Sequence, residues 1–482
     1  MFFRLFYNHH LAQASYLVGC QTTGEALVVD PTRDLAQYLD LAARQGLRVT
    51  AVTETHIHAD FVSGARNLAA RTGARLYLSA AGPAAWQYGY ASDAGVTLLH
   101  DGDSVHVGTL RLDVLHTPGH TPEHLSFVLT DTAQTAAPMG IFTGDFVFVG
   151  DVGRPDLLET AAGIAGSKEE GARQLYRSLR RFVTLPDYLQ VWPGHGAGSA
   201  CGKALGAVPQ STVGYEKQTN WGLDPRSEQR FMESVLAGQP EPPPYFAAMK
   251  RINKAGPALL ADEEQPTRLD LAALLTLVGG ETPILDVRPA TAYAAGHVPG
   301  AISLPLGPAF LTWAGWLLPY DRPLALLGDE DQIADAVRQL RLIGLDAISG
   351  AWTPQVLDDW TASGNALAAI RHTDAAGLHA LLRQGAVHVL DVRTATEHAA
   401  GHIAGSVNIP LGTLPRQLAA VPNSRPVAVH CQGGLRSAIA AGILAAHGVD
   451  VIDVAGGFGA WEQAALPRED TLPMAAHQAV AV

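Results

Sequence analysis

Two histidines and an aspartate stand within five positions in Thr55-His56-Ile57-His58-Ala59-Asp60-Phe61. Imidazole and carboxylate are hard-to-borderline donors, the kind that hold zinc or iron. Burying three such groups in one loop needs a compensating cation, so a metal site outweighs three ordinary polar residues. Phe61 has no donor atom and closes one position where a further ligand could stand. More donors follow in the same half of the chain: His116 and His120 in His116-Thr117-Pro118-Gly119-His120, Asp145 in Thr143-Gly144-Asp145, and His195 in Pro193-Gly194-His195-Gly196. His9, His10, His100 and His106 belong to no such pattern and read as hydrogen-bonded or surface residues. A different chemistry is written in Cys431-Gln432-Gly433-Gly434-Leu435-Arg436-Ser437. A cysteine at a strand end, in a tight loop with inward backbone N–H groups and an arginine, has its thiolate stabilised.

These residues need rigid elements behind them. Apolar runs precede each cluster: Val49 to Val52 before His56, Leu110 to Leu115 before His116, Ile141-Phe142 before Asp145. Loops at strand ends carrying function are the layout of a layered α/β domain, expected over residues 1–250. Proline and charge in Pro240-Glu241-Pro242-Pro243-Pro244 and Ala261-Asp262-Glu263-Glu264-Gln265-Pro266 bracket an expected linker at 251–267. Beyond it lies an internal repeat. Ile284-Leu285-Asp286-Val287-Arg288, Gly296-His297 and Pro305 return as Val389-Leu390-Asp391-Val392-Arg393, Gly401-His402 and Pro410; Asp391 minus Asp286, His402 minus His297 and Pro410 minus Pro305 all give 105. That period is a domain, so two small α/β domains are expected at 268–364 and 370–467, with a tail at 468–482. Pro323 to Leu327 aligns with Pro426 to His430, which sets Gly328 opposite Cys431 and acids, Asp329-Glu330-Asp331, where the thiolate loop has donors. The first copy cannot use the Cys431 chemistry and reads as a structural or docking module.

Composition narrows the class. The chain has 482 residues, 47% hydrophobic and 16% charged, enough for about three cores. A net charge of −13 argues against nucleic acid or an anionic membrane as the main partner. The N-terminal residues lack the apolar core of a signal peptide, and no stretch reads as a membrane span. Three widely separated cysteines, Cys20, Cys201 and Cys431, give no disulfide framework, so a cytoplasmic, reducing location is expected.

The metal motifs, in this order, resemble the metallo-β-lactamase superfamily, an αββα sandwich. With Phe61 where dizinc members carry histidine, and with Gly144 to Asp156 and Ser211 to Lys217, the resemblance is to the mononuclear branch, the persulfide dioxygenases. It implies one Fe(II) per chain held by His56, His120 and Asp145. His58, Asp60 and His195 then orient ligands or hold water, and His116 and His124 take no ligand role. Arg154 would fork onto the carboxylate of a glutathione-like carrier, with a loop-bracing ion pair as the plain alternative, and Tyr215 and Lys217 would line the same pocket. Cys201 is either an accessory persulfide acceptor or a small packed residue, and Cys20 is structural. Residues 370–465 resemble rhodanese sulfurtransferases, both copies being rhodanese-like with parallel sheets. In the second, Cys431 would carry sulfane sulfur with Arg436 beside it. The implied reaction is persulfide plus O2 and water giving sulfite and thiol, coupled to sulfur transfer with thiosulfate or sulfite, in a homo-oligomer. The alternative is a hydroxyacylglutathione-hydrolase-like thioesterase joined to a sulfurtransferase.

Overall fold

The computed structural model describes residues 1–160, 167–203, 205–224, 227–239, 241–260 and 265–470. Pro240 and residues 261–264 of the expected linker, and residues 471–482 of the expected tail, lie outside the described residues. The chain forms two compact units, Met1–Glu263 with Arg338–Leu345, and Glu264–Val337 with Asp346–Val482.

In the first unit β1 (Phe2–Asn8), β2 (Gln13–Cys20), β3 (Glu25–Val29), β4 (Arg48–Thr53), β5 (Arg75–Ser79) and β6 (Val96–Leu99) form one sheet in sequential order. A second sheet holds β7 (Ser104–Val107), β8 (Leu110–His116), β9 (Leu125–Asp131), β10 (Gly140–Gly144), β11 (Gln190–Pro193) and β12 (Ser211–Thr212), again with sequence neighbours side by side. Strand side chains alternate between faces, and the chain exploits this. Tyr16, Val18, Leu27 and Val29 meet Leu112, Val114, Phe127 and Phe142 between the sheets, while the interleaved Leu17, Ala26 and Val28 turn outward to Tyr38, Ala42 and Leu68 on helices Ala36–Arg44 and Ala65–Thr72. On the outer side of the second sheet, Val128 and Ile141 pack on Leu175, Leu179 and Phe182 of helix Ser167–Phe182. This is the expected αββα sandwich. Cys20 lies in the core between the sheets.

One boundary differs from expectation. The segment read as linker from residue 251 begins inside a helix, Phe246–Ala255, because Phe246, Met249 and Asn253 face the first unit and are buried. Its Asn253 accepts the Ser63 N–H (2.9 Å) and donates to the carbonyls of His58 (2.8 Å) and Phe61 (2.7 Å). The helix therefore belongs to the metal loop's support.

The second unit carries two parallel sheets. The first consists of β13 (Ile284–Asp286), β14 (Ile302–Ser303), β15 (Leu324–Leu327) and β16 (Ile348–Trp352), in the order β14-β13-β15-β16. The other contains β17 (Arg371–Thr373), β18 (His388–Asp391), β19 (Val407–Asn408), β20 (Val427–His430) and β21 (Val451–Val454), in the order β17-β21-β20-β18-β19. The repeat is conformational as well as sequential. Arg288 forks onto Asp286 and reaches the Gly296 carbonyl (3.0 Å), and Arg393 forks onto Asp391 and reaches the Gly401 carbonyl (2.7 Å).

Candidate metal centre and thiol loop

The loop after β4, the turn between β8 and β9 and the ends of β10 and β11 converge at one edge of the sandwich. Ligand atoms of His56, His120 and Asp145 lie within 4.8 Å of one another, all buried. Both Nε2 atoms approach Asp145 Oδ2, at 3.9 Å from His56 and 3.5 Å from His120.

Hydrogen bonds decide the tautomers. A carbonyl only accepts, so His120 Nδ1 carries the proton it donates to the Arg154 carbonyl (3.1 Å), which leaves the Nε2 lone pair facing Asp145. Thr55 gives its hydroxyl proton to Asp30 Oδ2 (2.9 Å), so its oxygen accepts from His56 Nδ1 (3.0 Å). His56 Nε2 is again a bare lone pair, and neither it nor either Asp145 oxygen makes a hydrogen bond among the described residues, the surrounding imidazole nitrogens standing 3.4 to 3.9 Å from the carboxylate. Burial, reinforced by the neighbouring imidazoles His58 and His120, holds His56 well below the ordinary histidine range, and burial also lowers His120. Two neutral imidazoles and an orphaned carboxylate fit a divalent cation, and each ligand nitrogen is set by a hydrogen bond on its far side.

Asp30 is the residue that sequence reasoning missed. It ends β3 in the left-handed region (φ 49°) and accepts from the Thr55 N–H (2.7 Å), the Thr55 hydroxyl and His58 Nε2 (3.1 Å). Its signal was visible as a lone aspartate closing an apolar strand. Burial alone would lower His58, but Asp30 and the other carboxylates raise it to about 9, so His58 is a cation paired with Asp30. Glu123, also unremarked in the sequence, accepts the Ile57 N–H (2.8 Å) between the two histidines. Gly144, at φ 49°, passes so close that a Cβ there would lie 2.5 Å from Thr55 Oγ1 and 2.8 Å from His124 Nε2. His124 in turn accepts the Asp145 N–H (3.2 Å), while His116 Nε2 bonds the Pro122 carbonyl (2.8 Å).

A second donor group adjoins the first: Asp60, His195 and Cys201 bring their ligand atoms within 4.8 Å. His195 donates Nδ1–H to the Ala12 carbonyl (3.0 Å) and sets Nε2 3.1 Å from Asp60 Oδ2 and 3.4 Å from Asp145 Oδ1. Burial and then the Asp60 and Asp145 carboxylates push the Cys201 thiol up to about 12. Phe61, fully buried beside the His58 ring (4.4 Å), offers no donor, but Cys201 adds a thiol to the Asp60–His195 group, so Phe61 alone does not set the metal count.

The residues expected to hold the carrier are engaged in other contacts. Arg154 is fully buried; its Nε and Nη2 fork onto Asp156 (2.9 and 2.5 Å) and Nη1 reaches the Ala200 carbonyl (2.8 Å). This is the loop-bracing arrangement, and the group Arg154 offers the site is its carbonyl, on His120. Lys217 bonds the Leu185 carbonyl (2.9 Å) and Asp187 (2.6 Å), at the end of β11 remote from His195. Tyr215 stands next to it, 59% exposed, on helix Val213–Thr219. The antiparallel pairing of β12 with β11 sets Thr212, just ahead of this helix, opposite Gln190, at the end of the strand away from Pro193 and His195.

In the second unit β20 delivers a buried Cys431 to the start of a largely exposed loop, where the Gly434 N–H points at Sγ (3.1 Å) and Ser437 Oγ lies at 3.8 Å. The Phe458 N–H holds the Cys431 carbonyl from below (2.7 Å). Arg436 pairs bidentately with Glu397, both contacts at 2.7 Å. In the first copy Gly328 follows β15 as Cys431 follows β20, and its N–H bonds the Trp352 carbonyl (3.1 Å).

The metallo-beta-lactamase superfamily model matches residues 10–195, and the rhodanese-like domain model matches 270–350 and 374–464. Among solved structures, a metallo-beta-lactamase from Staphylococcus aureus is 44% identical, with a TM-score of 0.66 over 74% of this chain and 99% of that one. The mitochondrial persulfide dioxygenase of Bos taurus is 29% identical over 186 residues, 38% of this chain and 63% of that protein. A hydroxyacylglutathione hydrolase of Pseudomonas entomophila is 36% identical over 168 residues, 35% of this chain and 56% of that protein. The chain thus spans less than two thirds of either curated relative. Sandwich, convergent histidines and thiol loop agree with these matches: the chain belongs to the metallo-β-lactamase superfamily, its sandwich domain being followed by rhodanese-like domains.

Proposed function

We propose that the chain oxidises the terminal sulfur of a low-molecular-weight thiol persulfide, with glutathione as the expected carrier, at an Fe(II) held by His56, His120 and Asp145. Persulfide, O2 and water give sulfite and the free thiol, and Cys431 moves sulfane sulfur between thiol and sulfite acceptors. The observation that carries this reading is the pairing, in one chain, of a buried two-histidine, one-aspartate cluster with a donor-lined thiol loop. Fe(II), when bound there, would supply redox capacity and, with three protein donors, would keep open positions for substrate sulfur and O2. The chain's own part is positional. The Asp30–Thr55 relay and the Arg154 carbonyl aim the two imidazoles, and Asn253 and Glu123 hold the backbone between them. The tether between the units raises the local concentration of a shared sulfur intermediate.

The second donor group, Asp60, His195 and Cys201, favours a different reading, a two-metal thioesterase in which bound water is the nucleophile. Purified full-length chain decides between them. The expected outcome is one iron per chain and O2 uptake with glutathione persulfide, lost in His120→Ala and kept in Cys431→Ser, whereas sulfur transfer from thiosulfate shows the reverse pattern. Tightly held zinc, thioester cleavage and no O2 uptake would establish the thioesterase.

A further inference from the structure

The thiol loop holds its one cation against a carboxylate. Its backbone supplies the Gly434 N–H to Sγ, and Gln432, Gly433, Gly434 and Leu435 are all neutral. Arg436, the cation of the loop, has two of its guanidinium nitrogens on the Glu397 carboxylate. Glu397 is not a passing surface acid. It is the N3 residue of a capping box, and its Oε2 also accepts the Thr394 N–H and hydroxyl, each at 2.9 Å. Burial alone would raise the carboxyl, but Arg436 and Thr394 hold it at about 2, so it is ionised at neutral pH. Arg393, which touches the loop through Gln432 (3.2 Å), is itself buried and paired with Asp391. Leu435, 49% exposed, presents an apolar side chain beside the loop.

We propose that Glu397 is a specificity-determining residue of the Cys431 loop: by cancelling the Arg436 charge it disfavours doubly charged inorganic donors and leaves the loop suited to an organic persulfide. The inference rests on the sulfurtransferase reading of Cys431. In the organic reaction the Cys431 thiolate attacks the outer sulfur of R–S–S⁻; the new S–S bond forms, the old one breaks with its electron pair on R–S⁻, and Cys431 becomes a persulfide anion. The charge in the loop is two throughout. With thiosulfate the same attack expels sulfite, and three negative charges meet beside Glu397. The thiolate and persulfide forms of Cys431 carry the same charge, so Glu397 leaves the equilibrium unchanged, and thiosulfate loading and sulfite discharge, which share one transition state, are both slowed.

The test is single-turnover loading of Cys431 in the full chain, by thiosulfate and by glutathione persulfide, in wild type and Glu397→Gln. Glutamine also serves at N3 of a capping box, so the substitution removes charge while keeping the helix start. The ratio of thiosulfate to persulfide loading rates is expected to rise about tenfold, the effect of one elementary charge a few Å away at a half-exposed site. A parallel fall in both rates, or an unchanged ratio, overturns the proposal and makes Glu397 a structural brace. Should the variant misfold, wild type still answers. Thiosulfate loading that is flat or rises with added salt supports a cancelled cation, and loading that falls with salt shows Arg436 acting as an open one. Loading that persists in Cys431→Ser refutes the sulfurtransferase reading itself, independently of Glu397.

Discussion

Replacing Gly457 by alanine tests whether the thiol loop is held from beneath by close backbone contact. Gly457 lies in the left-handed region at φ +56°, where a side chain costs roughly 1–2 kcal/mol. A Cβ there would overlap the Cys431 carbonyl oxygen and stand 3.0 Å from the carbonyl carbons of Cys431 and Gln432. The neighbouring Phe458 N–H to Cys431 O bond of 2.7 Å cannot survive the shift that relieves the overlap, a further loss of about 1 kcal/mol. Alanine's lower unfolded-state entropy returns about 0.4–1 kcal/mol. The net expectation is a loss of roughly 1–3 kcal/mol from the second unit. The kinetic effect is larger, because moving a reacting group by about 1 Å costs on the order of a hundredfold in rate. Urea unfolding and single-turnover loading of Cys431 read the two numbers separately. Gly307→Ala is the control: Gly307 has no positive φ and nothing within 4 Å of its Cβ position, so about ±0.5 kcal/mol is expected. Undiminished loading in Gly457→Ala would refute the claim that this contact positions the thiol.

Asp30→Asn should leave the fold standing but weaken metal retention by about 10–100-fold, because the relay that aims His56 Nε2 loses its carboxylate. Competition against a chelator measures it, and an unchanged affinity would remove Asp30 from the site. The Glu397 carboxyl predicts a pH effect of known sign. Its folded pKa of about 2 lies below the ordinary 4.5, so its contribution is complete above about 4.5 and is lost as pH falls toward about 2. Over that window the urea midpoint of wild type should fall more steeply than that of Glu397→Gln, and equal slopes would show that solvent screening cancels the pair.

Much of the site is legible in the sequence alone. His56, His58 and Asp60 share one loop through covalent spacing alone, and the strand ahead of them follows from an apolar run. The 105-residue period and the missing thiol at Gly328 are likewise properties of the chain read in one dimension. What the chain order could not supply is the set of partners brought in by packing. Asp30 is 25 residues from Thr55, Asn253 is 195 from His58, and Glu397 is 39 from Arg436, so each pairing exists only once strands or helices have stacked. The same holds for Cys201, which meets Asp60 and His195 through the fold of a glycine-rich loop. Direction was the other unknown. Sequence places Arg154 near Asp145 but not which way its guanidinium turns, and Lys217 near β11 but not at which end. Residue type and local spacing therefore determined the chemistry available, while tertiary packing decided which lone pairs are bare, which charges are cancelled and which side chains face one another.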